Sequence, residues 1–437
     1  MERIPRILFF LDLRKPDRSA QECRAKTCAL MRRPVRFLKK RVSPVFFIVA
    51  LYLLALSSSA SAQTGITVTA APPPEYKFGE SLTFQISIQS DTPLTGATLF
   101  VRAQGEARTF VGEARFNSSV ETTAAYSLNL AAHPLTPFAV VEYWWEIRDS
   151  SGAQLTTELK NFYYEDNRFN WQTTAREVMS VHWYAGDHAF GQAALDIATA
   201  ALTQANRSIH APLPETVNIY LYANSADVQV MLAPTGRAWI GSHADPALGV
   251  VIIAVAPGPE AESYLRNEIP HELTHLLVYQ ATGDHYAQVP SWLNEGLAVM
   301  NQQEPDPDAP ALLTTARNQG QLVSLNDLCG PFPADAAQAQ LAYAESESVV
   351  RYIGEQYGDT GLTALLAAYA DGAGCSAGVE RGLGLSLSDL ESHWLQEALN
   401  ANPALFKLKA LTPWIILAGL VLFSPAIFIL LISRKAK

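Results

Sequence analysis

The sequence predicts a multidomain chain: an all-β sandwich, then an α+β domain with a helical C-terminal part, then one membrane-spanning helix. Three observations predict it. Apolar residues alternate with polar ones through roughly a hundred residues after position 63. Beyond about Thr173 the apolar spacing becomes helical. An uncharged run, Leu411–Ser433, then stands just before the end. At 437 residues the chain has room for two or three domains, and 49% hydrophobic with 17% charged residues is a globular balance without a disordered bias.

Residues 1–62 hold 13 Lys and Arg against 4 Asp and Glu. From Met31 the chain reads as a cationic opening, an apolar run from Val45 to Leu56, and then Ala60-Ser61-Ala62. This is the layout of a secretory signal peptide cleaved after Ala62, with Met31 as the natural start. The other reading, a membrane anchor, asks for a longer apolar run. Residues 63–410 are the reverse in charge, 16 Lys and Arg against 38 Asp and Glu, a net charge of −22. Such a surface is repelled by nucleic acid and by anionic membranes.

Residues 63–166 read as the sandwich. In "SLTFQISIQS", Leu82, Phe84, Ile86 and Ile88 alternate with polar residues, and in "VVEYWWEIRD" Val141, Tyr143, Trp145 and Ile147 do the same. "DSSG" at 149–152 reads as a hairpin turn into "AQLTTELKNFYY". Several short strands in a hundred residues suggest an immunoglobulin or fibronectin type of sandwich, here without an internal cysteine pair. Tyr163–Gln172 reads as the junction.

The second domain spans 173–403. "GDHAFGQAALDIATAALTQANRSI" reads as a long helix with Phe190, Ala194, Ile197, Ala201 and Leu202 inward, and "TVNIYLYA" and "ALGVVIIAVAP" read as strands. A helix starting at Asn267 as N-cap follows, with Pro270 in its first turn and a stop near Gly283. "SWLNEGLAVMNQQ" is the next helix, "EPDPDAPA" a break, and the remainder helices, including "AQLAYAESESVVRYIGEQYG" and "LSDLESHWLQEAL".

The Asn267 helix carries the chemistry. His271 and His275 stand four apart, so they share one face and can close on one metal ion, while Glu272 sits one position round. This is the HExxH pattern of zinc metalloproteases. A catalytic zinc takes three protein ligands and keeps one position open. A metzincin would supply a histidine at position 281, which is Ala281, whereas Glu295 lies 20 residues beyond His275, fitting a turn and a return helix.

"HELTH" followed by "WLNEGLA" resembles the gluzincin metallopeptidases, most closely the peptidase MA-like domain proteins, over roughly residues 175–400. The resemblance implies a zincin-like fold, a mixed sheet above an active-site helix. It implies zinc held by His271, His275 and Glu295, and Glu272 as catalytic acid/base. It also makes Tyr343, in "LAYAESESVV", a candidate oxyanion donor, against the plainer reading of a core tyrosine at a helix start. Two departures stand out. The thermolysin-like families carry an Asp four residues after the glutamate ligand, where this chain has Val299, so a histidine's supporting partner must come from elsewhere. No Gly-x-Met-x-Asn strand precedes Asn267, so aminopeptidase specificity is not implied. The strand "GVVIIAVA" is the expected edge for an extended peptide. His182, His188 and His285 read as ordinary solvated histidines.

Cys329 and Cys375 lie in the exported part, so a disulfide between them is expected, the other reading being two separate buried thiols. A helix over residues 411–433 would span roughly 34 Å, enough for a bilayer core, and Arg434, Lys435 and Lys437 would stay in the cytoplasm as the tail 434–437. The expectation is a single-pass cell-membrane protein with an extracytoplasmic zinc metallopeptidase domain acting on a peptide or protein substrate. The alternative is a catalytically inactive, metallopeptidase-like binding or adhesion module. The substrate and the oligomeric state are not legible in the sequence.

Overall fold

The computed structural model describes residues 65–232 and 242–401, with 414, 416–418 and 421. They belong to one compact unit beginning at Thr64. The predicted signal region 1–62 and tail 434–437 lie outside the described residues, as does most of the predicted span 411–433. Of that span Trp414, Ile416, Leu417, Ala418 and Val421 are described, helical and exposed. No helix among the described residues is long and apolar enough to cross a membrane.

The first nine strands form two facing sheets. They are β1 (Ile66–Ala70), β2 (Glu75–Lys77), β3 (Ser81–Ser90), β4 (Leu94–Ala103), β5 (Phe110–Glu113), β6 (Glu121–Asn129), β7 (Val140–Asp149), β8 (Gln154–Thr156) and β9 (Lys160–Tyr163). In one sheet β3 is central, flanked by β1 and β2 on one side and β6 on the other. The other runs β5-β4-β7, with β8 and β9 both pairing β7. The period-two pattern is realised as expected: Leu82, Phe84, Ile86 and Ile88 of β3 and Val141, Tyr143, Trp145 and Ile147 of β7 point inward and are buried.

A separate five-stranded sheet follows in the order β10-β11-β12-β14-β13. Its strands are β10 (Gln172–Arg176), β11 (Met179–Trp183), β12 (Val217–Tyr222), β13 (Ser242–Asp245) and β14 (Val250–Ala254). β11, β12 and β14 are parallel, and the end strands β10 and β13 are antiparallel to their neighbours. The strand expected as the peptide-binding edge, β14, is therefore interior, and β13 is the last strand among the described residues. The apolar run of "GVVIIAVA" is explained by burial on both faces.

The eight helices labelled here are α1 (His188–Ile209), α2 (Ser225–Leu232), α3 (Ala261–Thr282), α4 (Ser291–Met300), α5 (Ala309–Gln319), α6 (Ala336–Ala370, kinked at Gly358), α7 (Cys375–Leu383) and α8 (Leu387–Glu397). Strand alternation gives this sheet two cores. Ile219, Leu221, Val251 and Ile253 face α1 and α3. Tyr220, Tyr222, Val250 and Ile252 face the sandwich and share its core. Phe138 stacks on Tyr220 at 4.0 Å between ring centroids, and the Tyr222 hydroxyl donates to the fully buried carboxylate of Asp166 at 2.9 Å. The sandwich thus covers a sheet face that would otherwise expose large aromatic side chains to water.

The start of the motif helix differs from expectation. Asn267 is not an N-cap: α3 begins earlier, at Ala261, and Pro270 lies inside it. A helical proline leaves the carbonyl four residues back without its N–H partner. Here the Arg266 carbonyl receives the N–H of Gln303 at 3.1 Å instead. Asn267 Oδ1 accepts the N–H of Glu304 at 2.9 Å. Tertiary bonds replace the missing helical one, so the cap reading fails while the C-terminal stop at Gly283 holds. Cys329 and Cys375 are disulfide-bonded, with Cα atoms 6.0 Å apart.

Candidate metal centre

The site forms where α3 meets α4 beneath β13. Helical spacing stacks His271 above His275, with ring centroids 5.0 Å apart. Glu295 arrives from α4, whose approach depends on Gly296: a Cβ there would stand 2.4 Å from the Ser346 carbonyl oxygen of α6. Glu295 Oε2 lies 3.4 Å from His271 Nε2 and 3.6 Å from His275 Nε2. All three ligand atoms fall within 4.8 Å of one another. Ligand atoms about 2.1 Å from a tetrahedral zinc stand about 3.4 Å apart, so this donor set fits a zinc ion. Two imidazoles, one carboxylate and an open cleft side also match the donor chemistry of a three-ligand zinc site.

The supporting partners come from residues that carried no motif. Asn294 Oδ1 lies 3.1 Å from His275 Nδ1, and the Asn294 amide donates to the Tyr286 hydroxyl at 3.1 Å. This supplies the partner that Val299 does not, and directs His275 Nε2 at the ligand cluster. The Gln302 side-chain amide stands 3.5 Å from His271 Nδ1, held there by the backbone bonds of Gln303 and Glu304 to α3. Sequence reading missed both: the place of Asn294 beside Glu295 could have flagged it, whereas Gln302 gave no signal.

Electrostatics favour a cation at this point. Burial pulls the His271 imidazole down, but the Glu295 hydrogen bond and the charges of Glu272, Glu295 and Glu268 outweigh it and hold it up at about 8. Burial pushes the Glu295 carboxyl up, and the two histidines bring it below its ordinary value. The carboxylates that hold the His271 imidazole up would equally favour a metal charge there.

Glu272 does not join the ligand group, as its helical position one residue round from His271 leads one to expect. It is 4% exposed, and its Oε1 takes a hydrogen bond from Ser242 Oγ of β13 at 2.6 Å. Ser242 Oγ also lies 2.5 Å from Glu268 Oε2, one helical turn before Glu272. A hydroxyl has one proton to donate, so both contacts can be hydrogen bonds only when one carboxyl carries a proton. Burial raises the Glu268 carboxyl from its ordinary value, against the pull of the Ser242 hydrogen bond and of His271. Sequence reading missed Glu268, which its i, i+4 spacing from Glu272 could have flagged. Ser242, on a short polar strand, carried no such flag.

Tyr343 stands on the second turn of α6, half-buried, with its ring 6.4 Å from that of His271 and 5.0 Å from that of Phe332. Burial, then the charges of Glu295, Glu272 and Glu268, raise its phenol well above the ordinary range. It lines the same cleft as His271, His275, Glu272 and Glu295, a cavity of about 1110 Å³. The structure therefore brings all five predicted residues to one cleft. His285 is not simply solvated: its Nδ1 stands 2.7 Å from the Ala370 carbonyl oxygen. His182 lies between Thr173 and Asn218.

Residues 197–400 match the family model described as the Peptidase MA superfamily, just under half of the chain. The match supports a zincin-like metallopeptidase. No curated protein matches the chain. Among solved structures, an M1 zinc metallopeptidase from Deinococcus radiodurans is 14% identical over 76% of this chain and 94% of its own, with a TM-score of 0.32. OgpA from Akkermansia muciniphila, in complex with an O-glycopeptide, is 8% identical over 24% of this chain, with a TM-score of 0.20. This chain spans only 30% of OgpA. BhCBM56 is 13% identical over 23% of this chain and 94% of its own, with a TM-score of 0.17. At these TM-scores the likenesses carry no functional argument.

Proposed function

We propose that this protein is a zinc metallopeptidase whose metal ligands are His271, His275 and Glu295. One observation carries the reading: three ligand atoms from two helices converge with separations of 3.4 and 3.6 Å to the shared carboxylate oxygen, beside a carboxylate that does not join them. When bound, zinc would supply a Lewis acid for the scissile carbonyl and lower the pKa of a water. Glu272 takes the proton of the attacking water and delivers it to the leaving amine, with Ser242 fixing its carboxylate. The Tyr343 hydroxyl donates to the carbonyl oxygen as charge develops on it. The substrate lies extended along β13, the outermost strand among the described residues, which carries Ser242.

The test is elemental analysis of the purified full chain. Wild type should hold about one zinc per chain, and Glu295→Ala should lose most of it. Unchanged zinc in that variant removes the assignment. If zinc-loaded wild type cleaves nothing in a broad peptide library, the protein is the binding or adhesion module instead.

The same reading places residues 63–410 outside the cytoplasmic membrane, tethered through 411–433. The basic and apolar opening, the uncharged run before a cationic end, and the Cys329–Cys375 bond all support it. Protease added to spheroplasts should trim the domain, and full protection would refute the topology.

A further inference from the structure

The sandwich contributes no residue to the metal centre, yet it reaches the strand on which a substrate would lie. Its loops around Arg108 and Pro134–Phe138 close a second cavity, of about 370 Å³, against α2 and the β13–β14 pair. His243 of β13 lines both this cavity and the metal cleft, so the two adjoin across one strand.

Strand geometry gives the connection a consequence. Ala244 packs in the helix-side core, and Ser242 reaches Glu272 of α3. Their neighbours His243 and Asp245 pair with Ile252 and Val250, whose side chains face the sandwich. A peptide added beside β13 presents its own side chains alternately to the same two faces. One set meets the metal cleft and the other meets the second cavity. Four residues of β13 extend roughly 13 Å, so the side chain entering the cavity belongs within about three residues of the scissile bond.

The lining says what it would take. Leu135, Phe138, Met231 and Ile252 make a buried apolar floor, while Glu106, His243 and Asp245 line its sides, with Glu106 engaged by the Thr136 hydroxyl. Arg108 stands at the exposed rim, its guanidinium donating to the Pro134 carbonyl, so it braces the loop rather than charging the floor. The volume is at the small end for a ligand pocket, suited to one side chain.

We infer that the sandwich is a specificity element: its cavity takes one large apolar side chain, aromatic, Leu or Met, of a peptide laid on β13. This rests on the peptidase reading. The experiment measures kcat/KM of the full chain on quenched 12-residue peptides carrying Phe, Leu, Ala, Asp or Lys at each position in turn. Wild type should favour Phe or Leu over Ala about tenfold or more at one position near the cleaved bond, the ordinary yield of an apolar pocket. Thr136→Trp, which fills the cavity from its half-buried rim, should bring the Phe peptide down to the Ala peptide while leaving the Ala peptide within about twofold. Arg108→Trp, at an exposed rim position, should act in the same direction should Thr136→Trp fail to fold. Equal cleavage of Phe and Ala peptides at every position overturns the inference, as does a preference unmoved by both substitutions, and either result leaves the peptidase reading standing. Absence of all cleavage by zinc-loaded wild type removes the peptidase reading and this inference with it.

Discussion

The sandwich and the half that carries the His271, His275 and Glu295 cluster bury carboxylates in opposite ways. In the sandwich, Asp149 sits at the end of β7 and is surrounded by donors: the Ser151 hydroxyl and N–H, the Ala153 N–H and the Ser90 hydroxyl. Ser151 above all, against the opposing pull of burial, holds its carboxyl at about 2. Asp166, at the junction, is paired with Arg168 at 2.5 Å and bonded by Tyr222. In the metal-site half, Glu345 is fully buried with the Val323 N–H to bind it, and burial pushes it up to about 8. Glu268 is raised for the same reason. The contrast shows where the polar groups of this protein are used. Donors that satisfy a carboxylate make it a fixed structural anion, and a buried carboxyl left short of donors, as Glu345 is, is pushed upward.

The sharpest break of this contrast is Glu272→Gln. The amide keeps the shape and the Ser242 contact but cannot take a proton, so peptide hydrolysis should fall by about a hundred- to ten-thousandfold. Zinc content and melting temperature should stay at wild-type values. Loss of zinc would make Glu272 a ligand, and full activity would put the base elsewhere.

Tyr343→Phe comes next. The ring still packs on Phe332, so folding should be unaffected, and kcat should drop about a hundredfold with KM little changed if the hydroxyl serves the developing oxyanion. An unchanged kcat would return Tyr343 to the role of a packing tyrosine.

The smallest effects compare the two buried carboxylates directly, through stability against pH. Asp149 has its folded pKa depressed, so its contribution is present above the unfolded value of about 3.9 and is lost as pH falls toward about 2. Asp149→Asn should therefore lower the melting temperature at pH 6, and the gap should close near pH 2. Glu345 has its folded pKa raised, so stability is greatest below the unfolded value of about 4.3 and declines as pH rises through about 8. Glu345→Gln should melt closer to wild type at pH 4 than at pH 9, where it should be the more stable protein. Parallel pH curves for the two variants would show that the contrast between the halves is not real.

Much of this was legible in the sequence because short-range periods determined it. Alternation in β3 and β7 decided the sandwich, helical spacing placed His271 above His275, and the distance to Glu295 allowed a return helix. A helical reading ending at Gly358 met the kink there, and the pairing of Cys329 with Cys375 held. The rest waited on the folded chain, because those choices depend on partners distant in sequence. Asn267 looked like a cap until Gln303 and Glu304 arrived to bond the backbone around Pro270. β14 looked like an edge until the four residues of β13, with little apolar signal of their own, paired outside it. Ser242 reached Glu272 only through that pairing, and the sandwich packs on the second sheet where Tyr220 and Tyr222 present a face for it to cover.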